Sequence, residues 1–298
     1  MKEALYNFVV HAIKRLFKIK DLTLFVRHKK QNFEKLIYYK KYNVNDIARL
    51  LEEMGVPRGK PIMLHVAMHN FYNFRGTANE LIDGLIDYVG PQGTLCMSSF
   101  PPDKYNTDVV FDVKKTKSAA GYLTEVFRNR EGVKRSINHL HSVCAYGKDA
   151  ELIVNSHHKS KICFDELSPF YIIGELGGYA LSLGMPKWYV GTGEHVCEAL
   201  LYDKLSFFND LFTKELVFSN RDSDGNLISQ KMLTIPKHTY RRTTSTKLFD
   251  KYFSKDKYSR TKLSNIWISA FEMKYLRDRL AELALSGLTI YSKPKFYK

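Results

Sequence analysis

Pro61-Ile-Met-Leu-His-Val-Ala67 and Thr94-Leu-Cys-Met-Ser-Ser-Phe100 are apolar runs of the length expected for strands buried on both faces. Between them Leu81, Leu85 and Ile86 fall on one side of a segment from Thr77 to about Val89, which predicts a helix, and Gly90-Pro-Gln-Gly93 turns the chain into the second strand. Strand, helix and strand in this order read as one unit of an α/β layered domain. Upstream, Asn43-Val-Asn-Asp46 caps a helix over Ile47 to Met54, and Gly55-Val-Pro57-Arg-Gly59 reads as a turn. Downstream the spacing predicts a helix from Ser118 to Arg130 with Ser118 as its N-cap. Strands follow at Val143-Cys-Ala-Tyr146 and Tyr179-Ala-Leu-Ser-Leu183, the latter ended by Gly184. A long C-terminal helix is expected from Ser264, with Ile266, Ala270, Met273, Leu276, Leu280 and Leu283 at helical spacing until Gly287.

The chain has 298 residues, and 46 Lys+Arg against 31 Asp+Glu give a net charge of +15. With 44% hydrophobic and 13% aromatic residues it can build a sizeable core, which excludes disorder, collagen-like repeats and coiled coil as descriptions of the whole. The positive excess predicts attraction to polyanions: nucleic acid, phosphorylated cofactors, nucleotide-linked substrates or an anionic membrane surface. It argues against a polycationic ligand unless acid is locally concentrated. No DNA- or RNA-reading motif is present, so no nucleic-acid partner is expected. Cys96, Cys144, Cys163 and Cys197 are far apart and form no C-x-x-C pair, which fits a reducing compartment and neither a zinc knuckle nor a redox motif. The patch Phe8-Val-Val10 is too short for a signal segment or a membrane span, so a cytoplasmic protein is expected.

Residues 1–42 differ in composition from the body over 43–298, with lysine and arginine greatly outnumbering Glu3, Asp21 and Glu34. Leu5, Phe8, Val9, Ala12, Ile13, Leu16 and Phe17 recur at steps of an amphipathic helix. Two readings of that helix stand: packing on the main domain or a second subunit, or lying on an anionic membrane surface. Lys237 to Lys247 forms another basic and polar stretch.

Histidines concentrate in Arg135-Ser-Ile-Asn-His139-Leu-His141-Ser142 and in Thr192-Gly-Glu-His195-Val-Cys-Glu198. In the second block, read as the start of a helix, Glu198 lies three residues after His195 and shares its face. A carboxylate beside an imidazole raises its basicity and fixes its tautomer, as a general base requires. Cys197 is two residues from His195 and points elsewhere, so it and Cys144 read as buried structural cysteines. Phe71, Tyr72 and Phe74 could stack on a sugar or adenine, or simply pack.

Five ordered blocks together resemble the aminoglycoside 3-N-acetyltransferase family. They are Gly90 to Met97, Ser118-Ala-Ala-Gly-Tyr-Leu-Thr-Glu-Val-Phe-Arg128, Arg135 to Gly147, Phe164-Asp-Glu-Leu-Ser-Pro169 and Thr192 to Glu198, and the likeness covers about residues 45–205. It implies an α/β fold with a layered mixed sheet flanked by helices, extended by helical N- and C-terminal additions. It also implies an acyl-CoA-dependent N-acetyltransferase, with acetyl-CoA as co-substrate, no metal, and an amino-sugar amine as acceptor. By resemblance His195 is the base and Glu198 orients it. Ser118, Gly121, Arg135, Ser136, His141 and Ser142 handle the coenzyme, with Ser142 also a candidate oxyanion donor, and Thr192, Glu194 and Asp103 face the acceptor.

Departures from the family pattern fall at His65-Val-Ala-Met68, which lacks the usual serines, at Asn138-His139 in place of His-Pro, and at Gly191-Thr-Gly-Glu-His195. They fit a changed acceptor better than a changed donor. With Asp103, Asp165, Glu166, Glu194 and Glu198 near the expected site but a repulsive global field, the expected acceptor is a less cationic, nucleotide-linked or glycan-precursor amino sugar. An antibiotic-modifying aminoglycoside 3-N-acetyltransferase, or an inactive basic binding protein on the same scaffold, are the alternatives.

Overall fold

The computed structural model describes residues 14–16, 18–19, 21–186, 189–235 and 246–292. It comprises two compact units, Met1–Lys41 and Tyr42–Lys298. Apart from a helical turn at 14–16, the helix expected from Leu5 to Phe17 lies outside the described residues, as does most of the basic stretch 237–247. The first unit contains a helix, Leu22–Ile37, whose N-cap Asp21 accepts from the Leu24 N–H at 3.0 Å. Its apolar Val26, Phe33, Leu36 and Ile37 are exposed alongside Arg27, Lys30 and Lys35.

In the second unit seven strands form one mixed sheet in the order β4-β5-β2-β1-β6-β10-β9. They are β1 (Pro61–Val66), β2 (Thr94–Ser98), β4 (Lys134–Arg135), β5 (Val143–Gly147), β6 (Tyr179–Leu183), β9 (Tyr258–Leu263) and β10 (Ile266–Glu272). The central strands β2, β1 and β6 run parallel, and antiparallel strands close both sides. A second sheet, ordered β3-β7-β8, comprises β3 (Phe111–Asp112), β7 (Lys214–Arg221) and β8 (Leu227–Thr234).

Period-two alternation divides the core between the two faces of the main sheet. Ile62, Leu64, Leu95, Met97, Leu181 and Leu183 pack with helices Val44–Glu53, Ala78–Val89 and Tyr122–Arg128 on one face. Met63, Cys96 and Ala180 pack with Pro169–Glu175, Val196–Leu200 and Met273–Leu285 on the other. The result is the expected layered α/β arrangement. Every residue of β2 is buried, which is why its sequence reads as an unbroken apolar run.

Local chemistry sets the element ends. Asn43 and Asp46 form a capping box, so that helix starts at Val44, three residues before its apolar periodicity becomes visible. Thr77 and Glu80 form another at the start of Ala78–Val89. Ser118 is not an N-cap: Gly121, at φ 127, interrupts the chain and the helix is confined to Tyr122–Arg128. The Ser118 hydroxyl instead accepts from the Ala120 N–H at 3.1 Å, and its own N–H donates to the Glu125 carboxylate at 2.8 Å. Nor does Ser264 begin a helix. It sits at φ 51 in a two-residue hairpin loop between β9 and β10, and the helix starts only at Met273. Ile266 and Ala270 are four apart, a spacing that a strand face also satisfies.

Replacing Asn43 with alanine removes the acceptor for two helix N–H groups and is expected to cost about 1 kcal/mol. A fall of the melting temperature by roughly 2–4 °C with the secondary structure intact is the outcome to look for; no change would show the box to be dispensable.

Candidate active site

At the C-terminal ends of the parallel strands, small polar residues replace aliphatic ones on the face occupied by helix Val196–Leu200. Alternation puts His65, Ser98, Ser182 and Ser269 on that face, with His65 beside Ser182 and Ser182 beside Ser269 in register. Together they hold the segment that follows β6. The Ser182 and Ser269 hydroxyls both donate to the Tyr189 carbonyl, at 3.0 and 3.3 Å. The Ser98 and Thr192 hydroxyls lie 3.5 Å apart. The His65 ring sits edge-on to Tyr189 at 5.4 Å and fills the place where a side chain of residue 191 would project. Gly191, at φ 75, is therefore required on two counts: backbone conformation and space. A small cavity lined by His65, Ser98, Phe100, Thr124, Tyr189 and Thr192 opens here, in the crevice where open α/β sheets bind ligands.

Beyond that segment a 3₁₀ turn, Thr192–His195, runs into helix Val196–Leu200. The helix does not follow β6 directly: β6 ends at Leu183 and the next described element starts at Thr192. The expected pairing is present: His195 Nδ1 lies 2.9 Å from Glu198 Oε1. Because a carboxylate accepts, Nδ1 carries the proton and the basic lone pair resides on Nε2. Glu198 is fully buried, while the His195 side chain retains 19% exposure. The Tyr291 hydroxyl, far along the chain, donates to the same Glu198 oxygen at 2.9 Å. Phe164 lies between two imidazoles, 5.1 Å from His195 and 4.8 Å from His141. His141 Nε2 in turn is 3.1 Å from Lys104 Nζ. Burial, then the charge of Lys104 and then His195, hold the His141 pKa well below the ordinary histidine value.

The remaining expected residues divide into two groups. Gly121 is exposed, with open space where a Cβ would stand, and Ser118, His141 and Thr192 are partly accessible. Arg135, Ser136 and Ser142 face inward instead. Arg135 donates to Ser142 Oγ at 3.2 Å, to the Thr116 carbonyl at 2.5 Å and to the Ser99 carbonyl, with its guanidinium over Phe111. Its guanidinium thus ties together loops that local sequence leaves separate. The Ser136 hydroxyl bonds His157 Nδ1 and the Val143 N–H, each at 2.9 Å. The Ser142 hydroxyl donates to the Ser99 carbonyl at 2.6 Å, so its proton is not directed at a ligand. Glu194 is fully buried and Asp103 exposed, so the two do not form one acidic wall with Glu198. Cys144 and Cys197 are buried, and burial pushes both thiols up.

Comparison with known proteins gives a family match over most of the chain: residues 63–283 fit the model described as aminoglycoside 3-N-acetyltransferase. A curated relative is the SPbeta prophage-derived aminoglycoside N(3')-acetyltransferase-like protein YokD of Bacillus subtilis (strain 168). It is 26% identical over 155 residues, 45% of this chain and 57% of that protein, so the aligned stretch spans just over half of the relative's length. Among solved structures, a mutant of aminoglycoside acetyltransferase AAC(3)-IVa in complex with gentamicin shares the fold with a TM-score of 0.68 and 21% identity, covering 85% of this chain and 92% of that one. AAC-IIIb, solved as a binary complex with CoASH, gives a TM-score of 0.65 at 18% identity, covering 85% of this chain and 100% of that one.

His65 offers a test of the polar seam through acid stability. Burial lowers its pKa to about 4, below the ~6.5 of an unfolded histidine. The unfolded chain therefore binds the proton first, and stability present above pH ~6.5 is lost as the pH falls toward 4, by up to roughly 3 kcal/mol. Melting temperatures recorded from pH 7 to 4 should fall, and His65→Asn should flatten that fall; an unchanged slope in the variant would show that His65 does not contribute.

Proposed function

We propose, from the premise that this chain belongs to the aminoglycoside 3-N-acetyltransferase family, that it transfers an acetyl group from acetyl-CoA to the amine of an amino sugar, with His195 as general base. The observation that carries this reading is the His195–Glu198 pair, with its carboxylate buried and its imidazole partly exposed, three residues after the Thr192 that lines the crevice cavity. An amino-sugar amine is largely ammonium at neutral pH and cannot attack until it loses a proton. Glu198 holds Nδ1–H, so Nε2 takes that proton, and the resulting imidazolium is stabilised by the buried carboxylate. Tyr291 fixes the carboxylate oxygen that faces His195. The coenzyme supplies the acyl group already activated as a thioester, so no enzyme nucleophile is needed, in keeping with the buried and protonated Cys197.

The residues fit a long anionic coenzyme. The open backbone at Gly121, the Ser98 and Thr192 hydroxyls, and the partly accessible Ser118 would hold its uncharged arm, whereas the Nε2 of His141 is taken by Lys104. Exposed Lys114, Lys115 and Lys117, just upstream, would meet its phosphates. Arg135, Ser136 and Ser142 serve the coenzyme indirectly, by shaping this wall. No grouping of His, Cys, Asp and Glu among the described residues has the arrangement of a metal site. The acceptor we favour is an amino sugar less cationic than an aminoglycoside, nucleotide-linked or part of a glycan precursor, because a chain of charge +15 repels a polycation at long range. Such coenzyme chemistry and four free thiols suit the cytoplasm.

Changing His195 to alanine should lower kcat by ~10²–10⁴ while the KM for acetyl-CoA stays within about twofold. Thiol release followed with an amino-sugar acceptor reads both, and wild-type turnover in the variant would remove His195 from the mechanism.

For residues 1–42 we propose contact with an anionic membrane, on the exposed Val26, Phe33, Leu36 and Ile37 combined with the surrounding lysines and arginines. The protein should then sediment with phosphatidylglycerol vesicles, less so after Phe33→Glu and Leu36→Glu, and stay behind with phosphatidylcholine. Equal retention on both lipids would argue against it.

A further inference from the structure

The five acids that the sequence puts near the expected site do not line the crevice cavity. Glu194 and Glu198 are fully buried. Asp165 accepts from the backbone N–H groups of Lys161, Ile162 and Leu167, and Asp103 and Glu166 are exposed. Beside the crevice there is a cation instead. Lys104 lies with Nζ 5.3 Å from the ring centres of both Phe100 and Tyr105, so its stem and head are flanked by aromatic surface. One N–H is directed at His141 Nε2, 3.1 Å away, which leaves two for another acceptor. His141 meets Phe164 and Phe164 meets His195 in tilted ring contacts, so the ammonium stands at the far end of a row of three rings from the base. Phe100 also lines the crevice cavity, which places the lysine's aromatic cradle at its wall.

We propose that Lys104 is the specificity-determining residue of the acceptor side, and that it pairs with an acidic group, a phosphate or a carboxylate, carried by the amino sugar. A half-buried ammonium with donors to spare favours an anion within reach and opposes a second cation there. Burial already lowers its pKa, a penalty that an anionic partner offsets. Lys104 takes no proton from the reacting amine. It acts by orienting the sugar so that the amine meets His195, and by disfavouring acceptors with several amines. The inference rests on the acyltransferase reading.

The test compares the full-length protein with Lys104→Met and Lys104→Glu on four acceptors: glucosamine, glucosamine 6-phosphate, muramic acid and kanamycin. With acetyl-CoA and thiol release as readout, the wild type should favour one of the acidic sugars over glucosamine by tenfold or more in kcat/KM. The phosphate and carboxylate arms tell which acid is read. Lys104→Met should abolish that preference through acceptor KM, leaving acetyl-CoA KM unchanged, and Lys104→Glu should shift it toward kanamycin. A wild type that turns over kanamycin as well as the acidic sugars, or a methionine variant whose loss falls on acetyl-CoA KM or equally on all acceptors, would overturn the proposal. If no acceptor releases thiol, and coenzyme A produces no thermal shift, the acyltransferase reading fails by itself. Calorimetric titration with glucosamine 6-phosphate and muramic acid then decides the role of Lys104 separately: tenfold weaker binding in the methionine variant supports it, and equal or absent binding refutes it.

Discussion

Two serine hydroxyls on adjacent strands, Ser182 and Ser269, converge on a single carbonyl, that of Tyr189, and the placement of the candidate base depends on them. The chain leaves the sheet at Gly184 and must return across the strand ends to begin the helix that carries His195. A loop crossing aliphatic strand ends would leave its carbonyls unsatisfied. By placing Ser98, His65, Ser182 and Ser269 on one face of four neighbouring strands, the sheet gives the segment 189–192 three hydroxyl partners and a ring contact. The cost is local: a histidine whose burial keeps it neutral, and a glycine at residue 191 that cannot be replaced without displacing that histidine.

Glu198 adds a second constraint of the same kind. A fully buried carboxylate is unfavourable unless its lone pairs are used, and here His195 and Tyr291 share one oxygen. The C-terminal segment is thereby bound into the site although it lies beyond the last helix. Arg135 acts likewise on the opposite side, drawing Ser99, Thr116 and Ser142 together from separate loops. A residue type that suggests a phosphate ligand is here spent on architecture.

What could be read from sequence was whatever is local. The strands β1 and β2, the helix between them and both capping boxes depend on neighbours within a few residues, and the i, i+3 relation of His195 to Glu198 survives even though the turn at His195 is 3₁₀ rather than α. Strand β10 reads as helix because Ile266 and Ala270, four apart, satisfy both periods over so short a run. The β7–β8 hairpin gave no alternating signal, since its inward positions include Asn220 and Gln230, which bond each other at 3.3 Å. Lys104 and Tyr291 were invisible for a different reason: each meets its partner across tens of residues, 37 for Lys104 with His141 and 93 for Tyr291 with Glu198, and no spacing rule reaches that far.

The net charge of +15 takes on a different meaning once the inward-facing arginine is subtracted from the ligand-binding cations. A buried guanidinium enclosed by carbonyls contributes little to the field outside, whereas exposed lysines at 114, 115 and 117 act directly on whatever approaches the Gly121 loop. A field that draws in a coenzyme with several negative charges also opposes an acceptor with several positive ones, unless carboxylates screen the acceptor's path. Here the two glutamates closest in sequence to the base are buried, and the cation Lys104 lies against Phe100, a residue of the crevice wall. If Lys104 meets the acceptor as proposed, donor and acceptor sides carry the same sign. On the proposed chemistry, that is the arrangement of an enzyme whose second substrate is itself acidic or neutral, and the family fold supplies the base and the crevice without fixing that sign.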